Sequence, residues 1–320
     1  MITVLTGGTG GAKFVDGLRQ VMPPGELTII VNTGDDLRMW GLSVSPDVDS
    51  ILYVLAGLLS RERGWGFQGD TFFCLQTMAN LGEDAWFKIG DRDLAVHILR
   101  SKLLAEGRTL TETTAEIAAK MGIKARVLPM SNNRVETRIR TSSGELSFEE
   151  YFVKRRYRDD VLTVRFEGAD KAAPAPGVLE AIFSADVVLL APSNPVTSIG
   201  PILALTQIRN ALRETSAQVV AVSPIIGDAA VSGPAANLMM AQGFPVSIDG
   251  IAHAYQDFLD VLVVHTTDAE RGKRLERPGL RVHSTNTLMR TDADKANLAR
   301  EVLAQISLDQ ASVYAGSNQR

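Results

Sequence analysis

The chain has 320 residues, is 45% hydrophobic and 22% charged, and carries a net charge of −4 with a single cysteine, Cys74. That length holds one large domain or a core with a substantial insertion, in the composition of an ordinary globular protein. One cysteine excludes an intramolecular disulfide and a cysteine-cluster metal site, and no run approaches the roughly 20 apolar residues of a membrane span.

The chain opens with ITVLT (2–6), a β-branched run that predicts a buried strand, then GGTGGAK (7–13) and a helical pattern. No basic leader segment precedes it, so a cytoplasmic protein with no membrane partner is expected. LTIIVNT (27–33) is a second strand, and the two with their helix form a βαβ unit with a parallel, buried sheet. Helical periods follow at 48–60, 71–81 and 93–106. Residues 109–122 carry T-x-x-E capping spacings at Thr109–Glu112 and Thr113–Glu116 and stop at Gly122. VETRIRTSSGELSFEEYFV (135–153) alternates about an SSGE turn and predicts an antiparallel hairpin.

GADKAAPAPG (168–177) is a linker, after which the parallel-sheet pattern returns in ADVVLLAPS (185–193), AQVVAVSPII (217–226) and DVLVVHTTD (260–268). Helices are expected at 201–213, 233–242 and 268–275, and a last strand at 281–285. The expected fold is α/β: a doubly wound, mainly parallel Rossmann-like sheet with a helical plus β-hairpin insertion. The expected core is 1–60 and 166–310, the insertion 61–165, and 311–320 a disordered tail.

The opening loop fits neither familiar phosphate motif. A dinucleotide fingerprint needs a third glycine where Lys13 stands, and an acidic residue where the second strand ends in Asn32. No Gly-Lys-Ser/Thr makes it a Walker loop. Free amides at a helix N-terminus remain, with Gly8, Thr9, Gly10 and Gly11 letting an anion approach; a tight structural turn is the plain alternative.

NTGDDLRMWGLSVSPDVDS (32–50) crowds Asp35, Asp36, Asp47 and Asp49 at the carboxyl end of the second strand. Hard oxygen ligands beside a phosphate loop suit Mg²⁺, although Asp47 also fits a helix cap and Asp35 a turn. FKIGDRDLAVH (87–97) sets Lys88 and Arg92 around a glycine turn, a pattern shared with solvated loops. APSNPVTSIGP (191–201) and SPIIGDAAVSGP (223–234) add two polar strand-end loops at the same sheet edge. The four histidines show no metal-ligand spacing, a capping or packing role is expected of His265, and Cys74 reads as a small buried residue. KRRYR (154–158) is the one dense basic run, a solvated face or an anion patch, and no nucleic-acid partner is expected.

Taken in order, LTGGTGGAK, VNTGDD, SPDVDS, GDTFFC, KIGDRD, LPMS, APSNPVTSIGPI, SPIIGDAAVSGPA and YQDFLDV resemble the 2-phospho-L-lactate transferase family of deazaflavin coenzyme F420 biosynthesis, across nearly the whole chain. The resemblance implies an Mg²⁺-dependent transfer of a three-carbon phospho-acid (phospholactate, phosphoenolpyruvate or phosphoglycerate). The acid passes from a guanosine diphosphate-linked donor to the ribityl hydroxyl of the deazaflavin Fo, and GMP leaves. It implies Asp49 and Lys88 at the deazaflavin, with Arg92 beside them, and Asp36, Asp47 and Asp49 at the metal, with Asp35 the weakest candidate of the four because its position is expected to vary in the family. Asp49 and Asp36 are then the catalytic carboxylates, Asp49 being the candidate to take the hydroxyl proton. Ser193, Asn194, Ser223 and Pro224 would hold the guanosine, and Gly8–Gly11 would lie near the phosphates. A homodimer is in keeping with the family. The rival reading is a sugar-nucleotide-binding regulatory protein of the sister branch of the same fold, which shares the glycine-rich opening.

Overall fold

A computed structural model describes residues 1–317, with side chains to 305. Residues 318–320 of the tail expected at 311–320, and the side chains of all of it, lie outside the described residues. In chain order the elements are β1 (Ile2–Thr6), α1 (Gly8–Val21), β2 (Leu27–Val31), β3 (Leu37–Met39), β4 (Leu42–Val44) and α2 (Pro46–Leu55). Then come α3 (Phe73–Asn80), α4 (Asp91–Ala105), α5 (Leu110–Lys120), β5 (Arg126–Pro129), β6 (Glu136–Thr141), β7 (Gly144–Ser147) and β8 (Val161–Glu167). The second half holds α6 (Val178–Phe183), β9 (Val187–Leu190), α7 (Gly200–Ala204), α8 (Thr206–Glu214), β10 (Gln218–Val222), β11 (Ile225–Ile226) and β12 (Ala229–Ala230). It closes with α9 (Ala235–Ala241), α10 (Ile248–Ala254), β13 (Val261–His265), α11 (Ala269–Leu275), β14 (Arg281–Thr285) and α12 (Asp292–Ser317).

Seven strands form one parallel sheet in the order β14-β13-β10-β9-β1-β2-β5. The inner strands β1, β2, β9, β10 and β13 are largely apolar because both faces are covered, whereas the edge strand β14, RVHST, has no fully buried residue. Leu5, Ile30, Leu190 and Leu262 turn to a core with α6–α10 and the β7-β6-β8 sheet. Val4, Ile29, Leu189 and Val263 turn to a core with α1, α2, α5 and α12. Each such side chain is worth about 1.5–3 kcal/mol of burial.

The doubly wound sheet stands as expected. The hairpin is β6–β7, paired antiparallel and extended by β8 on the other side of β6. One boundary falls differently: β5, inside the 61–165 span expected to be an insertion, pairs in parallel with β2 and ends the main sheet. The helix expected over 201–213 is two, because Leu205 takes an extended backbone between α7 and α8. α5 begins with the expected capping box, Thr109 and Glu112 satisfying each other's backbone amides. No helix among the described residues is long and apolar enough to cross a membrane.

The topology fixes where a ligand would enter. From β1 the chain builds outward to β2 and β5, then returns to lay β9 against the other side of β1. The loops after β1 and β9 therefore part in opposite directions and open a crevice at the carboxyl ends of the strands.

Candidate active site

That crevice is a cleft of about 530 Å³. Its floor is Gly7–Gly10 and the first turn of α2, and its far walls come from Trp65, Trp86, Phe87 and Lys88, from Phe148–Arg156, and from Ser223–Ala235. Of the residues singled out in the sequence, Gly8, Thr9, Gly10, Asp35, Asp47, Asp49, Lys88, Ser193, Asn194, Ser223 and Pro224 line it.

Three do not. Arg92 is exposed on the outer side of α4, with Nη1 3.4 Å from Gln68 O, because α4 turns its Asp93–His97–Arg100 face inward instead. Gly11 is buried beneath the loop, where a Cβ would meet Thr6 Oγ1 and Ser193 Oγ. Asp36 lies behind Ser45, whose Oγ donates to it at 2.8 Å. Cys74 is half-buried at the start of α3 rather than buried. His265 does cap: its Nδ1 accepts from Thr267 N at 3.2 Å.

The glycines have steric reasons. Gly8 takes φ +65°, and a Cβ on Gly10 would strike the Pro192 carbonyl. The β1 and β9 loops are thus in backbone contact, tightened by Ser193 Oγ donating to Gly7 O at 2.7 Å. Asn194 Oδ1 accepts from Val196 N at 3.0 Å, and Ser223 Oγ bonds both ends of Ile225. The polar strand-end side chains thus shape their own loops at the cleft wall.

Asp47 is in the first turn of α2, after the cap residue Ser45. Its Oδ1 accepts from Gly8 N, the first amide of α1, at 2.7 Å. Asn32 Nδ2 lies 2.9 Å from both Asp35 Oδ2 and Asp47 Oδ2, so one amide tethers two carboxyls. Glu149, at the end of the hairpin and 7% exposed, joins them from the opposite wall. None of Asp35, Asp36, Asp47 and Glu149 makes an ion pair among the described residues, although the Arg100 charge reaches Asp36.

Electrostatics follow from that arrangement. Burial, then the neighbouring Asp47 and Glu149, holds Asp35 well above the carboxylate range, and burial raises Asp47 as well. Burial pushes Asp36 up to about 8, against the Ser45 hydrogen bond. Burial, then Asp47 and Asp36, pushes Glu149 up to about 8. Asp35 Oδ1 and Asp36 Oδ1 are sealed from solvent without a partner. Carboxylate oxygens with unmet capacity and no cation among them are a donor set that fits Mg²⁺.

Asp49 lives differently. Arg100 is wholly buried and grips both its oxygens, Nη1 lying 3.0 Å from Oδ2. Burial works against the Arg100 charge, and the Asp49 carboxylate overrides it, leaving Arg100 raised. His97 Nδ1 is 3.5 Å from Asp49 Oδ2, and His97 Nε2 is 3.4 Å from Asp93 Oδ1, which also accepts from Tyr53. Asp49, Asp93 and His97 place ligand atoms within 4.8 Å of one another. The guanidinium already supplies a positive charge beside them, so Asp49 fits the expected metal role less well than Asp35 and Asp47 do.

Sequence reasoning missed Glu149, Arg100 and the Asp93–His97 pair. The signal for the last three was their spacing, i, i+4 and i+7 along one face of α4; Glu149 carried none.

The sequence matches the family described as "2-phospho-L-lactate transferase CofD" over residues 2–307. It is 44% identical over 301 residues to the 2-phospho-L-lactate transferase of Methanococcoides burtonii, covering 94% of this chain and 98% of that one. It is 43% identical over 307 residues to the enzyme of that name from Methanocaldococcus jannaschii, covering 95% and 97%. Among solved structures, a UPF0052-family protein from Bacillus halodurans aligns with a TM-score of 0.64 at 19% identity, over 94% of this chain and 98% of that one, a likeness of fold.

Proposed function

The chain belongs to the 2-phospho-L-lactate transferase family, and from that premise we propose that it transfers a three-carbon phospho-acid from its guanosine diphosphate-linked form to the ribityl hydroxyl of Fo, releasing GMP. The observation that carries the reading is the asymmetric pair of acid groups on the cleft floor. One, at Asp49, is charge-compensated; the other, around Asp35 and Asp47, is not.

Phosphoryl transfer asks a protein mainly for positioning and charge neutralisation. Thr9 and Gly10 line the cleft in the first turn of α1, where amides lack intrahelical partners, and so suit a phosphate. The Gly8 amide is already committed to Asp47, so a diphosphate there would lie against a carboxyl, and a bound cation would offset their like charge. Asp35 and Asp47 would hold Mg²⁺, with Asn32 fixing both carboxyls, Asp36 behind them and Glu149 across from them. When bound, the metal neutralises the diphosphate and eases departure of GMP.

Asp49, held by Arg100, accepts the proton of the attacking hydroxyl as its oxygen bonds to the phosphorus of the phospho-acid. The bond to the GMP phosphate breaks, and GMP leaves. Trp65, Trp86 and Phe87, which line the cleft along with Lys88 and Asp49, make an apolar wall suited to a flat deazaflavin. The Ser193–Asn194 and Ser223–Pro224 loops suit the guanosine portion. The protein is proposed to act in the cytoplasm and as a homodimer.

Titration with Fo and with UDP-sugars tests the reading against the sister-branch binding protein. Quenching of the cleft tryptophans by Fo and not by UDP-sugars is expected; affinity for the sugar nucleotides with none for Fo would favour the rival.

A further inference from the structure

The backbone around KRRYR gives its cations separate duties. Glu150–Lys154 winds as a π-helical turn, a form that concentrates at functional sites, and Arg155 N closes it on Glu150 O at 2.8 Å. The next two residues, Arg156 and Tyr157, take φ of +53° and +45°. Residues with a Cβ adopt that region only where the surroundings over-determine it. Here Tyr157 N donates to Tyr151 O at 2.8 Å, and the Tyr157 ring stacks on Phe152, which stacks on Phe148, at 5.8 and 5.4 Å.

Of the other cations in the run, two are committed elsewhere, and Arg158 does not line the cleft. Lys154 lies 5.5 Å over the Trp86 ring, and Arg155 forks onto both oxygens of Asp159 at 3.0 and 2.7 Å. Arg156 lines the cleft, and its guanidinium has no hydrogen bond or ion pair among the described residues. The strained turn delivers one uncommitted fork to a cleft whose other Lys or Arg lining residues are Lys13 and Lys88.

We infer that Arg156 reads the donor: its planar fork takes an oxyanion of the guanylylated acid, either the acid's carboxylate or the diphosphate. A guanidinium matches both groups through two parallel hydrogen bonds, which a lysine cannot copy. The inference rests on the donor assigned under Proposed function.

The test is calorimetric titration of wild type, Arg156→Gly and Arg156→Lys with guanylylated 2-phospholactate, GDP and Fo. Glycine adopts positive φ freely, so Arg156→Gly should melt at or above wild type while binding the guanylylated acid about tenfold or more weakly. Fo affinity should not change, and Arg156→Lys should recover part of the loss. An equal loss for GDP assigns the fork to the diphosphate; an unchanged GDP affinity assigns it to the carboxylate. Retention of wild-type donor affinity by Arg156→Gly, or equal weakening of Fo and donor, would overturn the inference. Failure of the donor reading looks different, because wild type itself would then bind no guanylylated acid.

Discussion

Arg100 of α4 grips both carboxylate oxygens of Asp49 of α2, and the guanidinium is wholly buried where it does so. The contact joins the first turn of α2 to α4, both within the long segment between β2 and β5. It gives one acid of the cleft floor a permanent counter-charge. Breaking such a pair leaves its partner buried and uncompensated. Arg100→Ala should therefore cost about 3–5 kcal/mol in urea denaturation. Coupling with Asp49→Ala in a double-mutant cycle should recover part of that cost; additive losses would show that the pair does not hold the two elements together.

The same contact decides which substitution tests Asp49. Asp49→Ala would strand Arg100, so Asp49→Asn, which keeps the shape and an acceptor oxygen, is the cleaner variant. Transfer should fall by about 100-fold or more for want of a proton acceptor, within the usual range for general acid–base groups, while circular dichroism stays native. Wild-type turnover would remove Asp49 from the chemistry.

The glycine loop has a steric prediction. Gly10→Ala pushes a methyl into the Pro192 carbonyl, and Gly11→Ala pushes one into Thr6 Oγ1 and Ser193 Oγ. Each should cost about 1–3 kcal/mol as overpacking does, and each should part the β1 and β9 loops enough to weaken GMP binding. Gly25→Ala meets nothing within 4 Å and is the control that should melt as wild type.

The uncompensated acids predict a pH dependence. Glu149 is raised from 4.5 to about 8, chiefly by burial, so the folded protein holds a proton there that the unfolded chain releases. Its contribution to stability is full below about 4.5 and is lost as pH rises through about 8, at up to about 1.4 kcal/mol per pH unit. Glu149→Gln should flatten the fall in melting temperature across that interval relative to wild type. Because protons compete with a cation for Asp35 and Asp47, Mn²⁺ used as a paramagnetic probe should bind more tightly as pH rises. Asp47→Asn should weaken that binding more than Asp49→Asn does; the reverse order would return the metal to Asp49.

Much of this was legible in the sequence, for physical reasons. Strands buried on both faces are uninterrupted β-branched runs, so β1, β2, β9, β10 and β13 announced themselves, and with them the edge where the loops gather. β5 is only RVLP, its first residue exposed, and carries too little pattern to be told from a loop. Gly8, Asp47 and Ser193 were visible because glycine and aspartate at a strand end carry a local signal. Glu149 was not, being one residue on an ordinary-looking hairpin, and the Asp93–His97–Arg100 spacing marks a face of α4 without naming what that face meets. Only the packing of α4 and of the hairpin end against the cleft gives them partners. Asp36, Gly11 and Arg92 show the reverse: their neighbours in sequence reach the cleft, and they face elsewhere.

The central claim is the transfer itself. The protein should be incubated with Fo, Mg²⁺ and, in parallel, guanylylated phospholactate, phosphoenolpyruvate and phosphoglycerate, and the products weighed by mass spectrometry. Fo should gain the mass of one phospho-acid with an equal amount of GMP, at least with phospholactate, and neither product should form after chelation of Mg²⁺. Unchanged Fo with every donor, or GMP appearing without a heavier deazaflavin, would contradict it.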